Sequence, residues 1–181
     1  MPAMLLLCWG YAPLWQLLLW SVFGTASTVG RVWLERVYIT RYAGGSARTQ
    51  ERFIRRHRFL WNASALSWGL AVALFFERAP QSHQFLCWMI VAGAGTFPLN
   101  SLALYPPLLR RFVNTLFATV LVIVMARLIE YGFFTLHFNH GFLLLPLFHW
   151  WLLLRAGRRI HETARNSFEL LFHNHILINS L

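Results

Sequence analysis

The sequence predicts an all-α polytopic membrane protein, and three observations support this fold class. Of its 181 residues, 57% are hydrophobic and only 12% are charged, with a mean hydropathy of +0.50. A soluble domain of this composition could not bury its apolar surface and still present a polar exterior. Arginines are concentrated between long runs that contain no charged residue. The pattern disfavours disorder, a disulfide scaffold, a cytosolic enzyme and, despite a formal net charge of +10, nucleic-acid binding.

Five charge-poor runs are long enough for helices that cross about 30 Å of hydrocarbon. We place these spans at 12–30, 59–77, 84–105, 111–132 and 135–154. Residues 1–11 are apolar but too short to cross, and they are typical of the last part of a helix, so a chain with an earlier start would have six spans. The predicted transmembrane bundle is therefore 1–154, followed by a cytoplasmic helix over 155–181.

Prolines and arginines mark the limits of the spans. Pro13 can open the first helix, and we expect Pro106 and Pro107 to end the third span. Eight arginines lie within 31–58, the break at 77–78 is neutral, and further arginines follow at 110–111 and after 154. Because basic loops stay in the cytoplasm, the loops alternate inside, outside, inside, outside, inside. The basic residues at 49–58 are expected to form a short helix on anionic lipid headgroups.

The segment 155–181 is predicted to continue the last span as a signal-relay helix. A 4-3-4-3 spacing starts at Ala164 and continues through Phe168, Leu171, His175 and Ile178, and a parallel seam contains Asn174. This spacing is typical of a coiled coil, in which one Asn can fix the register, so we expect a homodimer. An amphipathic helix on the membrane is the alternative. Since the seam reaches the last residue, further protein is expected to follow.

Four motifs occur in order along the chain. They are the basic stretch 51–56 leading to Ser67-Trp68-Gly69, the small residues 92–95 leading to Tyr105-Pro106-Pro107, the stretch 127–130, and the segment 158–177. In these motifs the chain resembles the amino-terminal multi-spanning membrane sensor region of bacterial hybrid sensor histidine kinases, which is also found on some diguanylate cyclases. It departs from that family at His173, where an acidic residue is usual, and at residues 1–11, where the family has a complete first helix.

The resemblance implies a sensory input module of a two-component system in the bacterial inner membrane, with a cytoplasmic C-terminus. In that family the exit helix feeds a coiled coil and then the phosphoacceptor and ATP-binding domains. The chain alone is therefore not expected to be an enzyme or to need a cofactor. It would pass an unknown small-molecule or membrane signal to a cytoplasmic kinase or other output domain. The alternatives are a small transporter or channel, and a non-signalling subunit of a membrane complex.

Two polar groups near the outer side are candidate sites. Arg127 and Glu130 lie three residues apart on one helix face, where an unpaired arginine would be costly. They form either a structural ion pair or a ligand-binding site. His83, His137 and His140 also map near the outer surface and are weak candidates for zinc binding or pH sensing, the alternative being ordinary interfacial histidines.

Small and aromatic residues form further candidate sites near the bilayer midplane. One group either allows close helix packing or forms a hinge or cavity, and it comprises Gly93, Gly95, Pro98 and Asn100. A second group shares one face of the neighbouring span and either packs the bundle or lines that cavity, and it comprises Trp61, Ser64 and Trp68. His149, in the last span, is expected to hydrogen-bond within the bundle.

Overall fold

The computed structural model describes residues 1–76, 78–103, 105–131 and 141–179, and within these ranges it contains helices and turns but no strand. The all-α part of the predicted fold class is therefore confirmed. The side chains of Asn100, Leu128, Tyr131, 141–143 and 172–179 lie outside the described part. The helices are α1 Pro2–Cys8, α2 Leu14–Arg41, α3 Ala47–Leu70, α4 Val72–Phe75, α5 Gln81–Thr96, α6 Pro98–Leu102, α7 Pro106–Tyr131 and α8 Gly141–Asn179.

Helices α2 and α3 form a long antiparallel hairpin that joins the first two predicted spans to the basic segment between them. α2 starts after Pro13 but continues past residue 30 to Arg41, and α3 contains both the predicted basic helix and most of the 59–77 span. Arginine is a good helix former, so the charged residues do not end either helix. The turn is closed by Gln50, whose Nε2 donates to the carbonyls of Ala43 and Gly45 at 2.9 and 3.0 Å.

Prolines divide the helices in the middle of the chain. The predicted span 84–105 breaks before Pro98, because proline lacks the N–H that would continue the ladder of helical hydrogen bonds. We expected Pro106 and Pro107 to end this span, but α6 has already ended at Leu102 and both prolines stand in the first turn of α7. A missing N–H is harmless there, since the N–H groups of a first turn have no acceptor within the helix.

The centre of the bundle is the contact between α3 and α7, the most extensive one between described helices. Gly69 of α3 lies in this contact, where an added Cβ would be 2.7 Å from the Cβ of Thr119 and 2.9 Å from the backbone oxygen of Leu116. On α7, Leu116, Val120 and Val124 are fully buried. The two helices therefore approach as closely as a glycine permits.

The short helix α1 belongs to the core. Met4 and Cys8 of α1 are completely buried, and so is Cys87 of α5, against which α1 packs. The thiols of Cys8 and Cys87 lie next to each other. Met1 contacts Gly24 of α2. Residues 1–11, too short to be a span, thus cover one side of the bundle.

Much of the outer surface is apolar. Trp15, Leu19 and Val22 of α2 are 64%, 65% and 68% exposed. Similar exposed residues on the other long helices are Phe85 and Met89 of α5, Val122 and Ile129 of α7, and Leu144, Phe148 and Trp151 of α8. Soluble monomers rarely expose apolar surface on this scale. By length and composition, two of the described helices could cross a membrane, namely Leu14–Arg41 and the part of α7 over Pro106–Arg127.

The basic segments of the chain meet at one end of the bundle. Arg58 of α3 and Arg111 of α7 line the same cavity, and Gly157 of α8 packs against Leu109 of α7. At the opposite end, Arg78 donates a hydrogen bond to Gln16. We call the first the basic end of the bundle, and it carries the segments that the charge pattern assigns to the cytoplasm.

Candidate functional site

The predicted relay segment is part of a single helix that begins inside the bundle. α8 runs from Gly141 to Asn179, so the last predicted span and the tail are continuous. Gly157, although glycine weakens helices in general, lies within α8 and is buried, and an added Cβ would lie 3.6 Å from Leu99 and in contact with Leu109. Both contacts are with leucine side chains, so Gly157 marks the point where α8 passes close to α6 and α7.

Beyond Gly157 the tail leaves the bundle. Phe168, Leu170 and Leu171 of the two predicted seams are each 65% exposed, whereas Ala164, where the first seam starts, is half-buried. An ion pair between Arg165 and Glu169 at 2.8 Å supports the helix on its solvated side. The remaining relay residues are Asn174, His175 and Ile178, which are helical and whose side chains lie outside the described part. The coiled coil itself stays a prediction.

The aromatic face of α3 contacts α2 and not the glycines of α5. Trp68 packs edge-on against Trp20, with ring centroids 5.9 Å apart. The Arg31 guanidinium lies over the Trp61 ring at 4.7 Å and donates to the Ser64 hydroxyl at 3.5 Å. From sequence, Arg31 was only one of the eight arginines within 31–58 that indicate the membrane topology. Its partly buried cation–π and hydrogen-bond contacts make it one of the polar links of the α2–α3 hairpin, beside the hydrogen bond from the Trp20 indole to the Ser67 carbonyl.

The predicted small-residue site separates into two different environments. Gly95 is buried, and an added Cβ would lie 3.4 Å from Leu153 of α8 and 3.9 Å from Nε2 of His149. Gly93 is exposed, with open space where its Cβ would be. Pro98 stands at the helix break, and Asn100 follows it in α6. Of the two glycines, close packing thus applies to Gly95 alone, and a hinge at the break before Pro98 stays a prediction.

An apolar groove of about 220 Å³ lies between α5, α7 and α8. His149 Nε2 donates a 3.3 Å hydrogen bond to the carbonyl of Ala92, and its ring lies 5.6 Å from Phe117. Since a carbonyl only accepts, the Nε2 must carry the proton. The indole N–H of Trp88, also in the groove wall, has no acceptor among the described residues. The groove is lined almost entirely by apolar atoms and therefore suits an apolar molecule.

The structure contains the ion pair that the sequence offered as one interpretation of Arg127 and Glu130. Arg127 Nη1 lies 2.7 Å from Glu130 Oε2, and the two side chains are 17% and 58% exposed. The arginine is thus mostly covered while its partner faces outward. A ligand-binding role for this pair stays a prediction.

The histidine cluster predicted near the outer surface is described only in part. The ring of His83 meets Tyr11 edge-on, with centroids 5.2 Å apart. His137 and His140 lie outside the described residues. Within the ranges that the structure describes, no three His, Cys, Asp or Glu side chains are grouped to hold a metal ion.

Asn62 and Asn114, two polar residues within the predicted spans, are not hydrogen-bonded to each other. Asn114 is exposed on the α7 surface, where its Oδ1 accepts a 2.9 Å hydrogen bond from the indole of Trp150. Asn62 of α3 is half-buried, and its Oδ1 has no donor among the described residues. These positions offer the transporter interpretation no continuous polar surface.

A cavity between α3 and α7 at the basic end was missed by sequence reasoning. Its volume is about 360 Å³, and arginines from both helices line it. The available signal was that two separate arginine groups each stand directly before an apolar run. Charge patterns alone could not show that the two groups face each other.

Comparisons of the chain with protein-family models, with curated proteins and with solved structures find no match.

Proposed function

We propose that this chain is the transmembrane sensory input module of a bacterial two-component sensor histidine kinase. In this function it lies in the inner membrane as a homodimer. It passes a signal through α8 to a cytoplasmic kinase or other output domain outside this chain, and it is not itself an enzyme.

The observation that carries the proposal is the continuity of α8. One helix packs against α5 and α7 with its first half and projects exposed apolar residues from its second half. A movement among packed helices would therefore reach the tail without crossing a loop. A transporter has no need of such an extension. An exposed apolar stripe on the tail also suits pairing with a second copy.

The charge pattern and the apolar surface support five membrane crossings with the basic end in the cytoplasm. Among the described residues, α2 and the Pro106–Arg127 part of α7 are long and apolar enough by themselves. The other crossings are made by α3 with α4, by α5 with α6, and by the first part of α8 with the residues before it. Residues 81–102 of α5 and α6 would span about 33 Å as helix, enough for the hydrocarbon layer.

The signal itself enters at one of two places in this proposal. The apolar groove beside His149 touches α8 directly, so a membrane-soluble molecule bound there would bias the position of that helix. The Arg127–Glu130 pair is the second place, where an anionic ligand would compete with the glutamate.

The test is to join residues 1–181 to a histidine kinase output domain and to vary the phase of the tail. Inserting four residues after Glu162 rotates everything beyond by about 40°, since each residue turns about 100°. Kinase output should change sharply with this insertion and largely recover with seven residues, which restore the heptad. The fusion without insertion is the control. Output unaffected by insertions of any length would contradict signal relay and favour the assembly-subunit alternative.

A further inference from the structure

The cavity at the basic end is built from two helices that lie far apart in sequence. α3 contributes Arg55 and Arg58, and α7 contributes Arg111. Tyr105, the residue just before α7, also lines the cavity. The remaining lining residues are Glu51, Ile54, Pro107 and Leu108. The volume of about 360 Å³ is large enough for a phosphate group with part of its substituent.

The charges in the cavity do not cancel. Glu51 is its single acidic residue and is already paired with Arg55 at 2.5 Å. Arg58 and Arg111 form no ion pair within the described part of the chain. Two exposed arginines that line one cavity thus remain without a counter-ion within the described residues. Guanidinium binds phosphate oxygens with paired, charge-assisted hydrogen bonds.

The backbone at the start of α7 has few free N–H groups for binding an anion, so the side chains must bind it. Pro106 and Pro107 have no N–H, and the next two N–H groups, of Leu108 and Leu109, donate to the carbonyl of Tyr105 at 3.0 and 3.3 Å. The helix end therefore offers few free donors to an anion. The arginines must supply the binding energy.

The cavity lies at the level where the apolar part of each of the two helices begins. Arg58 is the last charged residue before the apolar part of α3, and Arg111 is the last before the apolar part of α7. Both therefore lie at the border between a polar and an apolar zone. Lipid phosphates occupy this level of a bilayer, and basic pockets between helices on the cytoplasmic side can bind their headgroups.

We propose that this cavity is a specific phosphate-binding site, with Arg58 and Arg111 as the two residues that hold the phosphate. The same chemistry would take the headgroup of an anionic phospholipid or a free phosphate compound from the cytoplasm. The site depends on the cavity and its arginines and is independent of signal relay.

The chain itself offers matched controls. Arg56 and Arg110 are neighbours of the two proposed residues, are exposed, and do not line the cavity. Replacing any of the four by glutamine removes the same charge at nearly the same depth. A diffuse attraction between a basic surface and an anion would weaken equally in all four variants, whereas a specific site would not.

The experiment is a titration of the purified full chain in neutral detergent with phosphatidylglycerol, followed by native mass spectrometry. Phosphatidylcholine serves as the neutral lipid. Arg58→Gln and Arg111→Gln should each raise the Kd of the first bound phosphatidylglycerol by about tenfold or more, and Arg56→Gln and Arg110→Gln by less than about threefold. The unfolding midpoint of each variant verifies that it is folded. Because Arg58 and Arg111 lie on different helices, the proposal can still be tested with one variant if the other does not fold.

Competition with inorganic phosphate distinguishes the two sources. Displacement of the lipid by phosphate alone indicates a site that a free phosphate compound can fill, and lipid binding that phosphate does not displace indicates a headgroup site. Equal losses in the control variants, or equal binding of phosphatidylcholine, would overturn the proposal.

Discussion

Replacing Gly69 by alanine tests the packing of α3 against α7, on which the bundle depends. An alanine methyl needs about 3.5 Å to its neighbours, whereas the position it would occupy is 2.7 Å from the Cβ of Thr119 and 2.9 Å from the backbone oxygen of Leu116. Trimming Thr119 would not relieve the contact with the backbone. The two helices must therefore separate by about 0.5 Å or more, which forfeits about a quarter of the dispersion attraction across the affected contacts.

The expected cost is that of overpacking, about 1–3 kcal/mol. Alanine also gains about 1 kcal/mol over glycine in any helix, which would hide part of this cost. Gly93→Ala removes the ambiguity, because Gly93 is helical and exposed with nothing near its Cβ position. The difference between the two variants isolates the packing term.

The measurement is the thermal unfolding midpoint in one detergent. For a chain of this size 1 kcal/mol corresponds to about 2–4 °C, so Gly69→Ala should unfold about 3–10 °C below Gly93→Ala. Gly93→Ala itself should match or slightly exceed the unsubstituted protein. Equal midpoints for the two variants would refute the close approach of α3 and α7 at Gly69.

Three further predictions concern other contacts. Arg127→Ala and Glu130→Ala should each lower stability, with a double-mutant coupling of about 0.3–1 kcal/mol for a partly exposed pair; no coupling, with loss of signalling instead, would indicate a ligand site. Oxidation by copper phenanthroline should join Cys8 to Cys87, detected as a faster-migrating band that Cys87→Ala abolishes, and failure would contradict the docking of α1. Topology reporters fused after Arg48, Arg111 or Arg159 should read cytoplasmic. Reporters fused after Gln81 or Asn139 should read external.

Helix content was predictable from sequence because charge-free apolar runs of this length have few other stable forms. The limits of the helices were less predictable from sequence. An arginine marks where a helix leaves the apolar zone, but it does not end the helix. α2 therefore continues through Arg31 and Arg36, and α8 continues through Arg155. Glycine weakens helices in general, yet Gly157 lies inside α8 at its contact with α6 and α7. Helix propensity thus explains the continuation through the arginines, and a tertiary contact accompanies the glycine.

Candidate sites depended on how far apart their members lie in sequence. Arg127 and Glu130 are one helical turn apart, so their pairing could be offered from spacing alone. The contact of Arg31 with Trp61 and the cavity between Arg58 and Arg111 depend on the relative register of two helices. No periodicity within one helix carries that information. Without homologous sequences to reveal correlated positions, such contacts become visible only in three dimensions.

The contact of Gly157 with Leu99 and Leu109 gives α8 a pivot, that is, a fixed point about which the rest of the helix can tilt. Helix α8 packs against its neighbours up to that glycine and continues as one helix to Asn179, about 33 Å further along at 1.5 Å per residue. A tilt of only about 5° at the pivot would sweep the far end through about 3 Å, comparable to the helix translations seen in interface switching. Displacements too small to disturb the packing of α3 on α7 would thus become large at the tip.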